Sequence, residues 1–421
     1  MTWIMIAVLI ILALLRTPLF AIIGSIALIL FAAADIDISA IIIEMYRITT
    51  TPMLLAIPFF TFAGYILSES NAPRRLIHLS EQLFAHLRGG LAIMTLLICA
   101  LFTAFTGASG VTIIAIGGLV YPILIQQHYR EKFALGLVTT SGSLGLLFPP
   151  SLPIILYGIF SETSIEQLFI AGLIPGFLLI IILSVYALTQ APPVAQQKVS
   201  FSWKLFGNAI KDVAWEIPIP GMILLFILKG IITINEAAVI TAIYVFIVEF
   251  FIKKDLSIKK NLLPIIQESM VMVGGILIIM GMALGLTNYL IDEEIPMKLF
   301  EWIEVYISSK LVFLILLNLF LIVVGCMMDI FSAIMVVVPI ILPVAREFNI
   351  NPVHLGIIFL TNLEIGYLTP PVGLNLFLSS FRFNQSIINV YKASIPYIIL
   401  LLIALMLITY IPELSLFLLP D

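Results

Sequence analysis

Charged residues are scarce in this sequence. Asp, Glu, Lys and Arg together make up 10% of the 421 residues, whereas they make up about a quarter of a soluble domain. Hydrophobic residues make up 62% of the chain, which is more apolar surface than a soluble fold of this size can bury. The shortage of charge therefore excludes a soluble globular protein, and we expect a lipid bilayer to be the main solvent.

The residues that build metal centres and enzyme sites are also scarce. There are two cysteines and four histidines, and Cys99 and Cys326 lie far apart in apolar runs, which favours two buried small side chains over a disulfide or a metal site. The sequence contains no P-loop, dinucleotide-binding or H-E-x-x-H motif. It shows no nucleophile–base pair and no acidic cluster with metal spacing, so an intramembrane enzyme is only a remote alternative.

Long apolar stretches are abundant instead. They cover residues 2–15, 18–34, 53–68, 89–127, 133–160, 167–188, 217–231, 237–252, 269–290, 311–345, 353–381 and 394–412. A membrane-spanning helix needs about 20 residues, so several stretches are short and others are too long for one crossing. The first stretch has no basic region before it and no signal cleavage pattern, so we expect a retained membrane segment. Residues 190–215 are polar by contrast and predict a linker with an amphipathic helix.

The two halves of the chain repeat one another at an offset of 221 residues. Four prolines and two glycines of the first half fall on the same residue type in the second half: Pro122 and Pro343, Pro149 and Pro370, Pro150 and Pro371, Pro175 and Pro396, Gly64 and Gly285, Gly145 and Gly366. The sequence therefore predicts one repeat over 1–189 and another over 216–421, joined by the linker 190–215.

The basic residues predict that the two repeats are inverted. Lys and Arg favour the cytoplasmic side of a membrane, and they cluster at 74–88, 198–211 and 253–260. With these clusters inside, the linker is cytoplasmic and both termini are periplasmic. The stretch 89–127 is basic at both ends, so it predicts a re-entrant hairpin with its tip near Phe105–Gly110. The stretch 311–345 is the matching hairpin, with its tip near Gly325–Asp329. Each repeat is predicted to cross the membrane five times. Because five is an odd number, the second repeat has the opposite orientation in the membrane.

This pattern predicts an all-α polytopic membrane protein with about ten spanning helices and two re-entrant hairpins. Short amphipathic stretches at 72–88 and 296–309 precede the hairpins and predict surface helices that either brace a moving part or simply lie on the surface.

Two double prolines interrupt apolar chain, in "SLGLLFPPS" (143–151) and "EIGYLTPPV" (364–372). Proline removes a backbone donor, and an unpaired backbone group in lipid costs several kcal/mol unless protein, water or an ion satisfies it. We therefore expect broken helices over 133–160 and 353–381. Inverted repeats with broken helices near the midplane are typical of secondary transporters, where freed carbonyls coordinate a cation and half-helix N-termini attract an anion.

Polar side chains accompany these interruptions. Hydroxyl groups that could act as neutral oxygen ligands are found on Thr103, Thr106, Ser109, Thr112, Ser332 and Thr369. Asp329 could carry a proton, order a ligand hydroxyl or cap the following half-helix. Glu364 is a second intramembrane acid, either functional or part of the helix alone. Asn362 and Asn375 could donate to a substrate, whereas Asn318 predicts a helix–helix contact.

The segments "GASGVTIIAIGGLVYP", "TSGSLGLLFPPSLPIILYG", "LFIAGLIPG" and "NLEIGYLTPPVGLNLF" resemble the large membrane subunit of tripartite ATP-independent periplasmic (TRAP) transporters. The resemblance implies an elevator-type permease in the bacterial inner membrane that imports a small organic anion, such as a dicarboxylate or a sialic acid. It implies sodium as the coupling ion and no organic cofactor. It also implies two partners, an extracytoplasmic solute-binding protein and a small four-helix membrane subunit on a separate chain.

The resemblance also implies the residues of the sites. The sodium ligands would be Thr103, Thr106, Gly145, Phe148 and Pro150 at one site, and Gly325, Gly366, Thr369 and Val372 at the other. The substrate would lie between the tips, near Thr106, Gly107, Ser109, Asp329, Asn362 and Asn375. Ala108 stands where the family often has serine. The main alternative is a proton-coupled or uncoupled organic-anion permease in which Asp329 titrates.

Overall fold

The computed structural model of the chain describes residues 18–34, 36, 37, 39, 42, 43, 46, 52–84, 89–192, 203–216, 218–307 and 309–419. These residues form helices joined by short connections and contain no β-strand. The predicted N-terminal membrane segment 2–15 and much of the predicted linker, 193–202, lie outside the described residues.

The described part of the first half contains eight helices of ten residues or more: α1 (Leu19–Ala33), α2 (Ala56–Glu69), α3 (Ala72–Phe84), α4 (Gly90–Thr106), α5 (Ser109–Gln126), α6 (Glu131–Ser141), α7 (Leu152–Ser161) and α8 (Ile165–Gln190). Helix α5 carries a π-helical segment at Ile113–Gly117. Helix α9 (Trp203–Asp212) follows as the predicted amphipathic helix of the linker.

The described part of the second half contains ten α-helices: α10 (Pro218–Leu228), α11 (Ile234–Ile247), α12 (Leu263–Asp292), α13 (Ile295–Tyr306), α14 (Lys310–Met327), α15 (Ile330–Glu347), α16 (Pro352–Gly366), α17 (Leu374–Phe383), α18 (Ile387–Tyr410) and α19 (Glu413–Leu416). Two π-helical segments, Val248–Ile252 and Ile258–Leu262, continue α11 and precede α12. Helices α3 and α13 occupy the amphipathic stretches predicted before the hairpins.

Local sequence explains where several helices begin. Thr233 and Glu236 form a reciprocal capping box before α11. The side chains of Ser164, Asn351 and Ser386 accept backbone N–H bonds at the starts of α8, α16 and α18. These hydrogen bonds satisfy N–H groups that would otherwise be left without partners at the helix starts.

The described residues contain fewer full-length spans than the ten expected. Seven helices are long and apolar enough to cross a membrane, or eight if the bent pair Glu131–Leu147 and Leu152–Ser161 is one span. Three of the seven are arms of the predicted hairpins, which the prediction counted apart from the ten spans: Ser109–Gln126, Lys310–Met327 and Ile330–Glu347. Three further apolar helices have 10 to 17 residues, Phe20–Ala33, Gly90–Thr106 and Pro352–Gly366. The difference arises because these helices are shorter than a bilayer requires and because the N-terminal segment is outside the described residues.

Helix boundaries follow the 221-residue offset closely. Helices α6 and α16 begin at Glu131 and Pro352, and α5 and α15 begin at Ser109 and Ile330. The helix contacts between the halves are reciprocal as well: α1 packs on α12 and α2 on α11, α8 on α16 and α18 on α6, α7 on α15 and α17 on α5. A two-fold relation between equivalent halves produces such exchanged pairs, because each contact then occurs twice.

A buried ionic cluster ties α3 to the second half. The Arg75 guanidinium forms ion pairs with Glu216, Glu249 and Asp255, and Asp255 also accepts a bond of 3.0 Å from the backbone N–H of Asn71. Glu249 is fully buried and Glu216 is 5% exposed. Because α3 leads into α4, this cluster fixes the start of the first predicted hairpin against the second half.

Candidate functional site

The first predicted tip is a tight turn between α4 and α5. Helix α4 ends at Thr106, Gly107 adopts a left-handed backbone with φ of 64°, and α5 begins at Ser109. The positive φ favours glycine, and a Cβ at Gly107 would also lie 2.7 Å from the Leu152 side chain. The turn therefore falls within the predicted Phe105–Gly110 segment, and glycine is required there by both conformation and space.

The second predicted tip lies between α14 and α15, at Met328 and Asp329. Asp329 caps α15: its carboxylate accepts bonds of 3.0 Å from the N–H groups of Phe331 and Ser332, and Oδ2 accepts a bond from the Ser332 hydroxyl. Of the three roles considered for Asp329, the capping role is therefore the one its hydrogen bonds display.

Both double prolines interrupt helices, as the sequence predicts. After α6 the chain forms a 3₁₀ turn at Leu144–Leu147 and extends at Phe148, and α7 then begins at Leu152. After α16 the chain turns through Tyr367 to Gly373 before α17 begins. The Pro149–Pro150 and Pro370–Pro371 peptide bonds are both cis.

Each interruption packs against a hairpin arm through a glycine. A Cβ built on Gly145 would lie 2.2 Å from the Ala100 carbonyl oxygen and 2.5 Å from the Ala104 nitrogen of α4. A Cβ on Gly366 would lie 2.5 Å from the Gly325 carbonyl carbon of α14. The two breaks therefore touch the two arms backbone to backbone, at positions that correspond in the two halves.

The structure brings together most of the residues expected at the first sodium site. A Cβ on Gly145 would lie 2.6 Å from Thr103 Cβ, so Thr103 lies directly beside the first break. The Thr103 hydroxyl donates to the Gly142 carbonyl at 2.8 Å and lies 2.6 Å from the Thr112 hydroxyl. The carbonyls of Gly145 and Phe148 each accept one backbone bond within the break, of 3.1 and 3.0 Å, which leaves each oxygen a second lone pair.

The second expected sodium site also combines a close backbone contact at a glycine with a threonine hydroxyl bonded to a backbone carbonyl. Gly325 and Gly366 are in direct backbone contact, and the Gly366 carbonyl accepts the Thr369 N–H at 2.9 Å. The Thr369 hydroxyl donates back to the Ile365 carbonyl at 2.9 Å. Val372 is 43% exposed, beyond the double proline. The assignment of Thr103, Thr106, Gly145, Phe148, Pro150 and these four residues to sodium stays a prediction.

A cavity of about 290 Å³ lies between the two tips. Gly107, Ser109 and Asp329, three of the six residues predicted to bind substrate, line it, and the starts of α5 and α15 both contribute to its wall. A larger depression of about 460 Å³ lies at the starts of α8 and α11, lined by neither tip and neither double proline. The cavity between the tips is therefore the candidate functional site.

Three of the expected substrate residues do not line this cavity. Thr106 is buried against α2, where a Cβ on Gly64 would lie 2.7 Å from its Cα. The Asn362 amide donates to Asn318 Oδ1 and to the Ile358 carbonyl, both at 2.8 Å. Asn318 in turn donates to Thr409, which is the helix–helix contact predicted for it.

Asn375 joins the two breaks instead of facing the cavity. Its amide lies 3.3 Å from the Thr139 carbonyl and 3.3 Å from the Ser143 hydroxyl of the first half. Asn375 belongs to the second half, so this bond connects the two interrupted helices directly. Asn375 and Asn362 thus hold helices together in this arrangement, and contact between either residue and a substrate stays a prediction.

Tyr367 is a wall residue that the sequence reasoning missed. It lines the cavity, and its hydroxyl accepts the Ile330 backbone N–H at 2.7 Å, so it joins the second break to the start of α15. The sequence feature that could have identified Tyr367 is its position in "GYLTPP", two residues before Thr369.

Glu364 is fully buried, and no hydrogen-bond partner for its carboxylate is found among the described residues.

Comparisons with known proteins agree on one family. Residues 3–414 match the sequence profile described as "Tripartite ATP-independent periplasmic transporter, DctM component". The chain is 34% identical to the C4-dicarboxylate TRAP transporter large permease protein DctM of Pseudomonas aeruginosa, over 93% of this chain and 92% of that protein. It is 32% identical to the isethionate TRAP transporter permease protein DctMQ of Oleidesulfovibrio alaskensis, over 86% of this chain and 58% of that protein.

The chain is also similar to one further TRAP transporter protein and to one solved transporter structure. The chain is 28% identical to the ectoine TRAP transporter large permease protein TeaC of Halomonas elongata, over 87% of this chain and 86% of that protein. Among solved structures, the Alcanivorax borkumensis YdaH transporter superposes with a TM-score of 0.58 at 14% identity, covering 87% of this chain and 85% of that chain. At this identity the structural likeness concerns the fold alone.

Proposed function

The chain belongs to the DctM component family of the TRAP transporters, and from this premise we propose that it imports a small organic anion by sodium symport. As a member of this family it is the large permease subunit of a membrane transporter and not an enzyme. The proposal adds the class of solute, the coupling ion and the direction of transport.

The observation that carries the proposal is the cavity between the two tips. The starts of α5 and α15 border it from opposite halves of the chain. A helix start presents unpaired N–H groups and the positive end of the helix dipole, which stabilise an anion by about 0.3–1 kcal/mol each, and by up to about 2 kcal/mol in partly buried geometry. The start of α5 has no side-chain cap and suits a carboxylate or a sulfonate, whereas the N–H groups of Phe331 and Ser332 at the start of α15 are already bonded to Asp329.

Sodium is the coupling ion that suits the groups beside the cavity. Backbone carbonyls and hydroxyls are hard, neutral oxygen donors, and both breaks present them where a glycine meets a hairpin arm. Gly145 with Thr103 and Gly366 with Thr369 are therefore proposed as the centres of two sodium sites. A sodium ion bound there would also add positive charge near the anion.

We further propose that the two halves are inverted repeats and that transport is an elevator motion. The reciprocal contacts between the halves support a two-fold relation, and the basic residues support an inverted orientation in the membrane. In this arrangement the membrane is the bacterial inner membrane, the termini are periplasmic, and the linker around α9 is cytoplasmic.

Membership of the family supports the proposed solute class and the proposed partners. Relatives are named for C4-dicarboxylates, isethionate and ectoine, and all three molecules carry a carboxylate or sulfonate group. We propose an organic acid for this chain as well. A small membrane subunit and an extracytoplasmic binding protein are the proposed partners, and the relative named DctMQ fits a close association of the large and small subunits.

Uptake by proteoliposomes tests the proposal. The chain would be reconstituted with a small membrane subunit and a binding protein of the kind proposed, and supplied with radiolabelled succinate or isethionate. An inward sodium gradient should drive accumulation, whereas an equal potassium gradient should not. Equal uptake under both gradients would contradict sodium coupling, and no uptake of either acid under any gradient would contradict the proposed solute class.

Replacing Asp329 with Asn separates sodium coupling from proton coupling. Asn and Asp cap helices about equally well, and the loss of the charge at the start of α15 costs about 0.3–1 kcal/mol. We therefore expect sodium-driven uptake to fall by less than about fivefold and to keep its sodium dependence. A proton gradient that drives uptake in the original protein but not in Asp329→Asn would instead favour the alternative in which Asp329 carries the proton.

A further inference from the structure

The cavity wall contains no basic side chain among the described residues that line it. Its charged residue is Asp329, and the carboxylate oxygens of Asp329 are engaged by the N–H groups of α15 and by Ser332. A carboxylate in a partly desolvated site needs hydrogen bonds or a counter-charge. Under the proposed function, on which this inference rests, the counter-charge for the anion must come from a basic residue beyond these wall residues.

One face of α17 runs from the cavity to the protein surface. Leu374, Leu378 and Arg382 are four residues apart and so lie on one side of the helix. Leu374 lines the cavity, and Leu378 packs on Gly110 of α5, where a Cβ would lie 2.7 Å from its Cδ1. Arg382 packs on Gly118 of α5. Helices α5 and α17 thus form a seam that begins at the cavity and ends at Arg382.

Arg382 is bonded to the cavity wall itself. Its Nε donates to the Ile114 carbonyl at 3.0 Å, and Ile114 lines the cavity. Ile114 lies in the π-helical segment Ile113–Gly117, where the change in helical bonding makes a carbonyl available to a side chain. The bond uses one of the five N–H donors of the guanidinium, and the Arg382 side chain is otherwise exposed.

The other basic residues with described partners are committed elsewhere. Arg75 is surrounded by three carboxylates. Lys253, Lys298 and Lys310 donate to the carbonyls of Asp212, Glu293 and Asn349 at helix ends. Arg382 is set apart from these four because its bond goes to a residue of the cavity wall.

We propose that Arg382 is the anion-selective residue at the mouth of the cavity. Its free guanidinium N–H groups bind the carboxylate or sulfonate of the solute as it passes along the seam between α5 and α17, while Nε remains on Ile114. Arginine suits this role because its planar fork can bind both oxygens of an oxyanion at once. The residue thereby favours anions over neutral solutes of the same size.

The test measures the kinetics of sodium-driven uptake of succinate and isethionate by proteoliposomes. Arg382→Gln should raise KM for the transported acid about tenfold or more, as expected for loss of a charge-assisted hydrogen bond, with a smaller change in the maximal rate. Arg382→Lys should recover a substantial part of the affinity, because the positive charge remains. Lys392→Gln, which removes an exposed positive charge from α18, is the matched control and should leave KM unchanged.

The outcomes separate this inference from the proposed function. If the unmodified protein takes up neither acid under a sodium gradient, the proposed function fails. If it takes up an acid but Arg382→Gln has an unchanged KM, the inference about Arg382 fails alone. A lower maximal rate with unchanged KM, or no recovery by Arg382→Lys at equal thermal stability, would assign Arg382 a packing role and overturn the inference as well.

Discussion

Replacing Gly145 with Val is expected to reduce sodium-driven uptake more than tenfold. A Cβ at this position would lie 2.2 Å from the Ala100 carbonyl oxygen and 2.5 Å from the Ala104 nitrogen, and neither backbone atom can move without the helix. Overpacking of this kind typically costs about 1–3 kcal/mol, and here it must separate the first break from α4. The separation removes Thr103 from the carbonyls of the break, so the proposed ion site comes apart even where the protein still folds.

Gly274→Val is the matched control for this substitution. Gly274 lies in the interior of α12, and a Cβ there would meet nothing within 4 Å. The control therefore adds the same side chain to an apolar helix without a clash, and both stability and uptake should be retained. Initial uptake rates would be compared at equal amounts of folded protein, judged by thermal unfolding in detergent. Normal uptake by Gly145→Val would show that the close contact is not needed for transport.

Among the substitutions described for this protein, Arg75→Ala is expected to cause the largest fall in the free energy of unfolding. The guanidinium pairs with three carboxylates, of which Glu249 is fully buried and Glu216 is 5% exposed. Removing one partner of a buried ion pair typically costs about 3–5 kcal/mol, because the remaining charge is buried without compensation. The midpoint of thermal unfolding in detergent should therefore fall sharply, and the start of the first hairpin should lose its anchor to the second half.

Two variants make this result interpretable. Arg74→Ala removes the neighbouring, exposed arginine and should change stability little, as surface substitutions usually do. Arg75→Ala combined with Glu249→Gln should recover part of the loss, because the buried carboxylate is then neutral. An Arg75→Ala protein as stable as Arg74→Ala would contradict the structural importance of the cluster.

The same cluster predicts a dependence of stability on pH. Burial acts to raise the pKa of Asp255, but hydrogen bonds from Arg75 and from the N–H of Asn71 outweigh it and hold the pKa below its ordinary value. A lowered carboxyl pKa stabilises the folded state above the unfolded pKa, and this contribution is lost as the pH falls through the folded pKa. Arg75→Ala should therefore also weaken the acid sensitivity of unfolding that Asp255 contributes.

The sequence by itself determined the class of protein and the places where its helices are interrupted. The shortage of charge predicted a membrane protein, and the double prolines predicted the breaks before α7 and α17. The small residues around Gly107 and the position of Asp329 predicted the turns between the arms. These features could be predicted because each depends on local chemistry: proline lacks a donor, glycine accepts a positive φ, and aspartate caps a helix start.

The tertiary structure alone decided which helix faces meet. The Asn362 amide donates to Asn318 and does not line the cavity, and the Tyr367 hydroxyl accepts a bond from the start of α15. Arg75 pairs with acids that lie more than 140 residues away in the sequence. The buried face of a soluble helix can be recognised from apolar residues that recur every three or four positions between polar ones. Helices that are apolar on every side carry no such signal, because lipid and protein interior favour the same residues. Their contacts are set by close packing in three dimensions, and that information is absent from the local sequence pattern.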